Sequence, residues 1–157
     1  MTIGIVLAIV GAALAVILAG TGSVIGMGLA GQAAAGVVSE NPEKFGKALI
    51  LNALPGTQGI YGFLGAILVL QKVGLLGGTI LEISTGTGLA LLFACLPVAL
   101  AGLSSGIFQG KVSVAGMGIL AKKPEEVGKA MILSAMVETY AVLGLLATIL
   151  IVIFVAV

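Results

Sequence analysis

Histidine, tryptophan, aspartate and arginine are absent from this 157-residue chain, and charged residues make up only 8% of it. A soluble domain carries about 25% charged residues, so that class is excluded. No nucleotide-binding or catalytic constellation can be assembled from what is left. Cys95 is alone, so no intrachain disulfide can form. Its bland reading is a small apolar filler. The net charge of +1 comes with no basic cluster, which gives no sign of a nucleic-acid partner. What is abundant is apolar: 60% of the residues are hydrophobic. The chain reads as an integral membrane protein.

Each span needs about 20 apolar residues. Four stretches qualify: Ile3–Val38, Ala48–Leu70, Thr87–Ala121 and Ala130–Val157. The first lacks a positively charged leader and runs on unbroken, so it reads as a span and not as a cleaved signal. Between the spans lie Ser39–Lys44, Gln71–Gly86 and Lys122–Glu126. Asn41-Pro42 and Lys123-Pro124 mark turns, because the residue before proline is pushed out of the helical region. Spans one and three exceed what a bilayer demands, so they should tilt or protrude. No stretch alternates with period two, which excludes a barrel. The expected fold class is an all-α membrane protein of four transmembrane helices.

The chain repeats itself. Pro42-Glu43-Lys44-Phe45-Gly46-Lys47-Ala48 returns as Pro124-Glu125-Glu126-Val127-Gly128-Lys129-Ala130, an ungapped offset of 82 residues. The same offset carries Gly20 onto Gly102, Ser23 onto Ser105, Gly28 onto Gly110 and Gly62 onto Gly144. The chain is therefore a duplicated two-helix hairpin, residues 1–78 and 79–157, with both halves crossing in the same sense. Glu138 falls on Gly56 and Gln109 on Met27: one half keeps a carboxylate that the other has lost. Lys44, Lys47, Lys122, Lys123 and Lys129 flank the hairpin turns, whereas the central connection has only Lys72. The positive-inside bias puts both turns in the cytoplasm and both termini outside.

Spans one and three are crowded with small residues, among them Gly20, Gly22, Gly26, Gly28 and Gly31, then Gly102, Gly106, Gly110, Gly116 and Gly118. Gly26-Met27-Gly28-Leu29-Ala30-Gly31 is a literal dinucleotide fingerprint. That reading needs a preceding strand and a soluble βαβ unit, and neither exists here. Close helix packing explains the glycines, and such faces on two helices suit the inner wall of a ring. Lys111, inside the third span, has its simplest reading as a snorkelling side chain.

Glu138 is the residue the rest answers to. A charge at the bilayer centre costs about 2.5–3.5 kcal/mol on insertion scales, so an intramembrane carboxylate points to function. Its same-face neighbours Ser134, Ala135, Ala141 and Val142 cannot neutralise it. Partners must come from other helices. In span two, Leu54, Thr57, Gln58 and Tyr61 share a face around Pro55. Proline frees the carbonyl four residues earlier, here Leu51, and loosens its neighbours, Leu54 included. Span three offers Gln109. Thr57, Gln109 and Glu138 each lie roughly 15–18 Å in from the cytoplasmic turns at 1.5 Å per residue. One carboxylate, two amides, one hydroxyl and a loosened carbonyl at a common depth describe an oxygen site for a monovalent cation, Na⁺, with H⁺ or Li⁺ as competitors. Tyr61 fits as the donor that holds the second carboxylate oxygen.

Leu-Pro-Gly-Thr-Gln-Gly-Ile-Tyr at 54–61, Gln109-Gly110-Lys111 and Met136-Val137-Glu138-Thr139-Tyr140, set in a duplicated hairpin, resemble the membrane rotor-ring subunits (proteolipids) of bacterial and archaeal V-type rotary ATPases. The resemblance covers nearly the whole chain. It implies a non-catalytic subunit that assembles with identical copies into a ring in the cell membrane, turned by ATP hydrolysis on other subunits. It implies that Leu54 (through its carbonyl), Thr57, Gln58, Gln109 and Glu138 bind Na⁺, with Tyr61 bonded to Glu138. It further implies a stator subunit bearing an arginine, and a central-stalk subunit at the cytoplasmic turns. The rivals are a proton-carrying ring of the same architecture, a small four-span transporter or channel, and a structural scaffold.

Overall fold

The computed structural model describes residues 2–157. Helix α1 runs Ile3–Glu40, α2 Phe45–Ala53, α3 Thr57–Lys72, α4 Thr85–Lys122 and α5 Val127–Phe154. Single 3-10 turns, Pro42–Lys44, Leu54–Gly56 and Pro124–Glu126, precede α2, α3 and α5. Taken with their 3-10 turns, these form four helices long and apolar enough to cross a membrane. No strand occurs among the described residues. At 38 residues each, α1 and α4 are about 57 Å long against a hydrocarbon core of about 30 Å.

The helix ends follow from local chemistry. Thr2 and Ser84 accept backbone N–H bonds from Ile5 and Thr87 at 3.4 and 3.1 Å, capping α1 and α4. Both long helices pass beyond the apolar stretches, to Glu40 and Lys122, because Asn41 and Lys123 still donate backbone N–H to Val37 and Ile119. Hydropathy marks where lipid is tolerable, not where the hydrogen-bond ladder stops. Pro42 and Pro124 then open the 3-10 turns that reverse the chain. In the α3–α4 connection Gly74 and Gly78 have φ of 81° and 79°, the left-handed region that glycine enters freely.

The inner wall is α1 against α4, and glycine makes it possible. A Cβ placed on Gly110 would lie 2.3 Å from Gly26 Cα, and one on Gly26 would lie 2.2 Å from the Gly106 carbonyl oxygen. Gly22 and Gly106 approach in the same way. Without aqueous surroundings to drive apolar faces together, such close backbone contact supplies the dispersion that holds helices in lipid. Helices α3 and α5 flank this wall. Lysines tie the hairpins together at the ends: Lys44 Nζ donates to the Ala121 carbonyl at 2.8 Å and Lys47 Nζ to that of Pro124 at 3.0 Å. At the opposite end Lys72 Nζ donates to the Ile153 carbonyl at 3.0 Å.

Pro97 lies inside α4 without ending it. Its missing donor disturbs the ladder, and the next N–H, that of Val98, donates instead to Thr148 Oγ1 on α5 at 3.2 Å, fully buried. Thr148→Val keeps the shape and orphans that N–H. The expected outcome is a loss of about 1–3 kcal/mol, read as a lower midpoint in detergent unfolding. An unchanged midpoint would remove this hydroxyl from the account of the α4–α5 contact.

Candidate functional site

The site begins with the break in the second span. Pro55 has no N–H, and the chain answers by closing a 3-10 turn in which Thr57 N–H bonds to the Leu54 carbonyl. Thr57 Oγ1 donates to the same carbonyl at 3.1 Å. The proline rule points first to Leu51. The structure instead makes Leu54 the carbonyl presented at the break, because the ladder changes from i−4 to i−3 across it. Helix α3 therefore starts at mid-span, and its first N–H groups lack intrahelical partners. One is satisfied from outside: Gly59 N–H donates to Ser23 Oγ on α1 at 2.8 Å. Ser23 is visible in the sequence only as the repeat partner of Ser105.

From this restart, Gln58 and Tyr61 reach across the bundle. Gln58 and Gln109 are both fully buried. Gln58 Nε2 donates to Gln109 Oε1, and Gln109 Nε2 donates to Glu138 Oε2 at 3.3 Å. Tyr61 O–H donates to Glu138 Oε1. Three helices thus join in one chain of bonds that ends on a carboxylate, and both its oxygens accept. The expected tyrosine contact is present. The amide groups converge as expected, although Gln109 offers Glu138 its N–H and not its oxygen. Leu54 and Thr57 are brought together with each other at the edge of this network.

Two features of the site stand out energetically. Among the described residues no lysine pairs with Glu138; the ion pair there is Lys129–Glu126, on the surface. Lys111 instead lies over the Phe108 ring, 4.9 Å from its centroid. Gln58 Oε1 is buried and has no hydrogen-bond partner. An orphan buried acceptor costs about 1–3 kcal/mol. So the site holds a carboxyl group with no lysine partner among the described residues and a spare oxygen, and a cation would satisfy both. No cluster of three or more His, Cys, Asp or Glu side chains forms among the described residues. The donors are one carboxylate and neutral oxygens, the set that suits a hard ion of low charge.

The first hairpin shows the site's negative image. Where Gln109 meets Glu138 in the second hairpin, Met27 meets Gly56 in the first: a Cβ on Gly56 would lie 2.9 Å from Met27 Sδ. Tyr140 and Leu143 stand at the positions of Gln58 and Tyr61. The first hairpin thus lacks the carboxylate and one amide, and the second lacks the other amide and the phenol, so the site needs both.

A profile of the ATP synthase C-subunit family matches residues 10–69 and again 92–151. The two matches are offset by 82 residues, the period of the repeat. The chain belongs to the ATP synthase C-subunit family. Within it, the chain is 52% identical over 141 residues to the V-type sodium ATPase subunit K of Enterococcus hirae, covering 90% of this chain and 86% of that one. It is 47% identical over 146 residues to the A-type ATP synthase subunit K of Methanocaldococcus jannaschii, covering 93% of this chain and 61% of that one. The family anticipated from Leu54–Tyr61 and the duplicated hairpin is the family found. A member of it with these four helices is a multi-pass membrane protein.

Proposed function

We propose that this chain is the ion-carrying subunit of the rotor ring in the membrane sector of a rotary ATPase, and that it carries Na⁺ at Glu138. The observation that carries the reading is the buried, unpartnered Gln58 Oε1, joined through Gln109 to a carboxylate that no lysine among the described residues compensates. A Na⁺ held by Glu138, Gln58 Oε1, Gln109 Oε1, Thr57 Oγ1 and the Leu54 carbonyl satisfies both at once. Leu54 is the most heavily shared donor, since Thr57 already bonds to it twice. Tyr61 holds the other carboxylate oxygen, as outer groups orient metal ligands elsewhere. Li⁺ and H⁺ compete for the same oxygens. Enterococcus hirae subunit K is named for a sodium ATPase, which points to Na⁺.

The mechanism follows from charge. A loaded site is neutral overall and can turn past lipid; an emptied carboxylate cannot, because an isolated charge at that depth is expensive. Emptying therefore requires a cation from outside, and this chain has no arginine to supply one. A stator subunit bearing an arginine meets that need and makes ion exchange obligatory at one place in the turn. ATP hydrolysis belongs to other subunits. The half 79–157 supplies the carboxylate that 1–78 has lost, and 1–78 lends Leu54, Thr57, Gln58 and Tyr61 to the same site. Both hairpin turns face the cytoplasm and a central-stalk subunit, with the termini outside.

The test uses carbodiimide, which modifies an accessible protonated carboxyl. In membranes at fixed pH, millimolar Na⁺ should slow labelling of Glu138 strongly, and Li⁺ less. Labelling indifferent to Na⁺ would return the ring to protons.

A further inference from the structure

Helix α1 gives the ion site no oxygen, yet both helices that supply the amides are set against it. Its glycine face fixes it to α4: a Cβ on Gly22 would lie 2.6 Å from the Gly102 carbonyl oxygen, and one on Gly106 would lie 2.8 Å from Ser23 N. Helix α3 is held as closely, since a Cβ on Gly62 would collide with the Ala15 carbonyl. Pro55 itself rests on α1, its Cβ 2.9 Å from where a Cβ on Gly26 would stand. Backbone packed at this density does not slide. Helix α1 is thus a common reference for Gln58 on α3 and Gln109 on α4.

Ser23 is buried in this contact, and its Oγ accepts the Gly59 N–H at 2.8 Å. Hydroxyls on exposed helix faces behave differently: Thr21, Ser104 and Thr139 donate back to carbonyls of their own helices. The N–H that Ser23 holds belongs to the peptide plane between Gln58 and Gly59, so the bond fixes the backbone torsion that follows Gln58. Glycine at 59 leaves that plane freer than another residue would. The repeat supplies the comparison. An offset of 82 carries Ser23 onto Ser105 and Gly59 onto Ala141. Ser105 is buried as Ser23 is, but its Oγ has no hydrogen-bond partner. Helix α5 runs unbroken from Val127 to Phe154, so the Ala141 N–H is taken up within it. The serine is idle where the helix is continuous and engaged where it restarts. Its bond therefore belongs to the break.

We propose that Ser23 is a positioning residue for the ion: through the Gly59 N–H it holds Gln58, whose unpartnered Oε1 faces the cation, in register with Gln109. The inference rests on the sodium reading above and adds to it a residue of the helix that supplies no ligand. Gln58 Nε2 donates to Gln109 Oε1, and Gln109 Nε2 donates to Glu138. A shift of Gln58 is therefore passed along the bonds to the carboxylate. Without the serine oxygen the Gln58–Gly59 peptide is free to turn, and the row of amides loses its fixed end.

The test is carbodiimide labelling of Glu138 in membranes bearing the whole complex, titrated with Na⁺ at fixed pH. Ser23→Ala should raise the Na⁺ concentration that halves labelling by about tenfold, the factor equivalent to one ordinary hydrogen bond. The labelling rate without Na⁺ and the ring's resistance to sodium dodecyl sulfate should stay at their parental values. Ser105→Ala removes an equally buried hydroxyl that holds nothing, and should leave all three measurements unchanged. Ser23→Cys keeps the volume and offers only a weak acceptor, so it should shift the Na⁺ concentration in the same direction and by less. This variant decides the matter if Ser23→Ala does not assemble. Parental Na⁺ dependence in the assembled variant overturns the positioning role and leaves the sodium site standing. So does an equal shift from Ser105→Ala, or a change of the same size in labelling without Na⁺, which would make Ser23 a packing residue only. Labelling of the parental chain that ignores Na⁺ overturns the sodium reading and this role with it.

Discussion

Replacing Glu138 with glutamine is expected to abolish Na⁺-coupled transport while leaving the four helices folded. The amide has nearly the shape of the carboxylate, and its oxygen can still accept from Tyr61 or Gln109, so the bonds that join α3, α4 and α5 are largely kept. What goes is the charge. A Na⁺ entering the neutral site would sit among dipoles without an anion, and the effective cost of an uncompensated buried ion is several kcal/mol. At 1.36 kcal/mol per factor of ten, that is an affinity loss of about a thousandfold or more. The emptied variant also has no charge left for a stator arginine to exchange. Radiolabelled Na⁺ binding to purified rings, and ATP-driven Na⁺ uptake by vesicles bearing the whole complex, should both vanish. Transport at the parental rate by Glu138→Gln would falsify the site.

The second large effect is expected far from any charge. Gly110→Leu should prevent the inner wall from forming, and even Gly110→Ala should weaken it severely. The clash is with Gly26 Cα and the Gly26 carbonyl oxygen, at 2.3 and 2.5 Å, and backbone in two apposed helices cannot step aside. Overpacking in a well-packed interior commonly costs about 1–3 kcal/mol, and a backbone collision lies at or beyond the upper end. The damage also reaches the ion site, because Gln109 is the adjacent residue and must keep its bonds to Gln58 and Glu138. Gly128→Ala is the matched control: nothing lies within 4 Å there, and alanine favours a helix. Resistance of the ring to sodium dodecyl sulfate should fall sharply for Gly110→Ala and stay level for Gly128→Ala. Equal resistance in the two variants would show that α1 and α4 do not need this approach.

Much of this was legible in the residues. Long apolar runs, two X-Pro turns and an ungapped repeat define four spans without reference to any contact. Glu138 was legible because a carboxylate is so costly where it stands, and Gln58, Gln109 and Tyr61 because they share its depth on facing helices. Bonds that depend on helix rotation were not. Ser23 caps Gly59, and Ser113 bonds to Ser134 at 2.9 Å, through small side chains whose pairing is decided by how closely the glycine faces let the helices approach. The Leu54 carbonyl was legible through the resemblance and not through proline geometry alone, which points first to Leu51, because the rule for proline in a continuous α-helix does not describe a helix that stops and restarts. The orphan oxygen of Gln58 could not have been seen in sequence, since it depends on which way two buried amides face.

Lys44 and Lys47 belong to the first hairpin but fasten onto the turn of the second. On the rotor reading proposed above, a shaft gripping this end would pull on both hairpins together, because these two bonds couple them there.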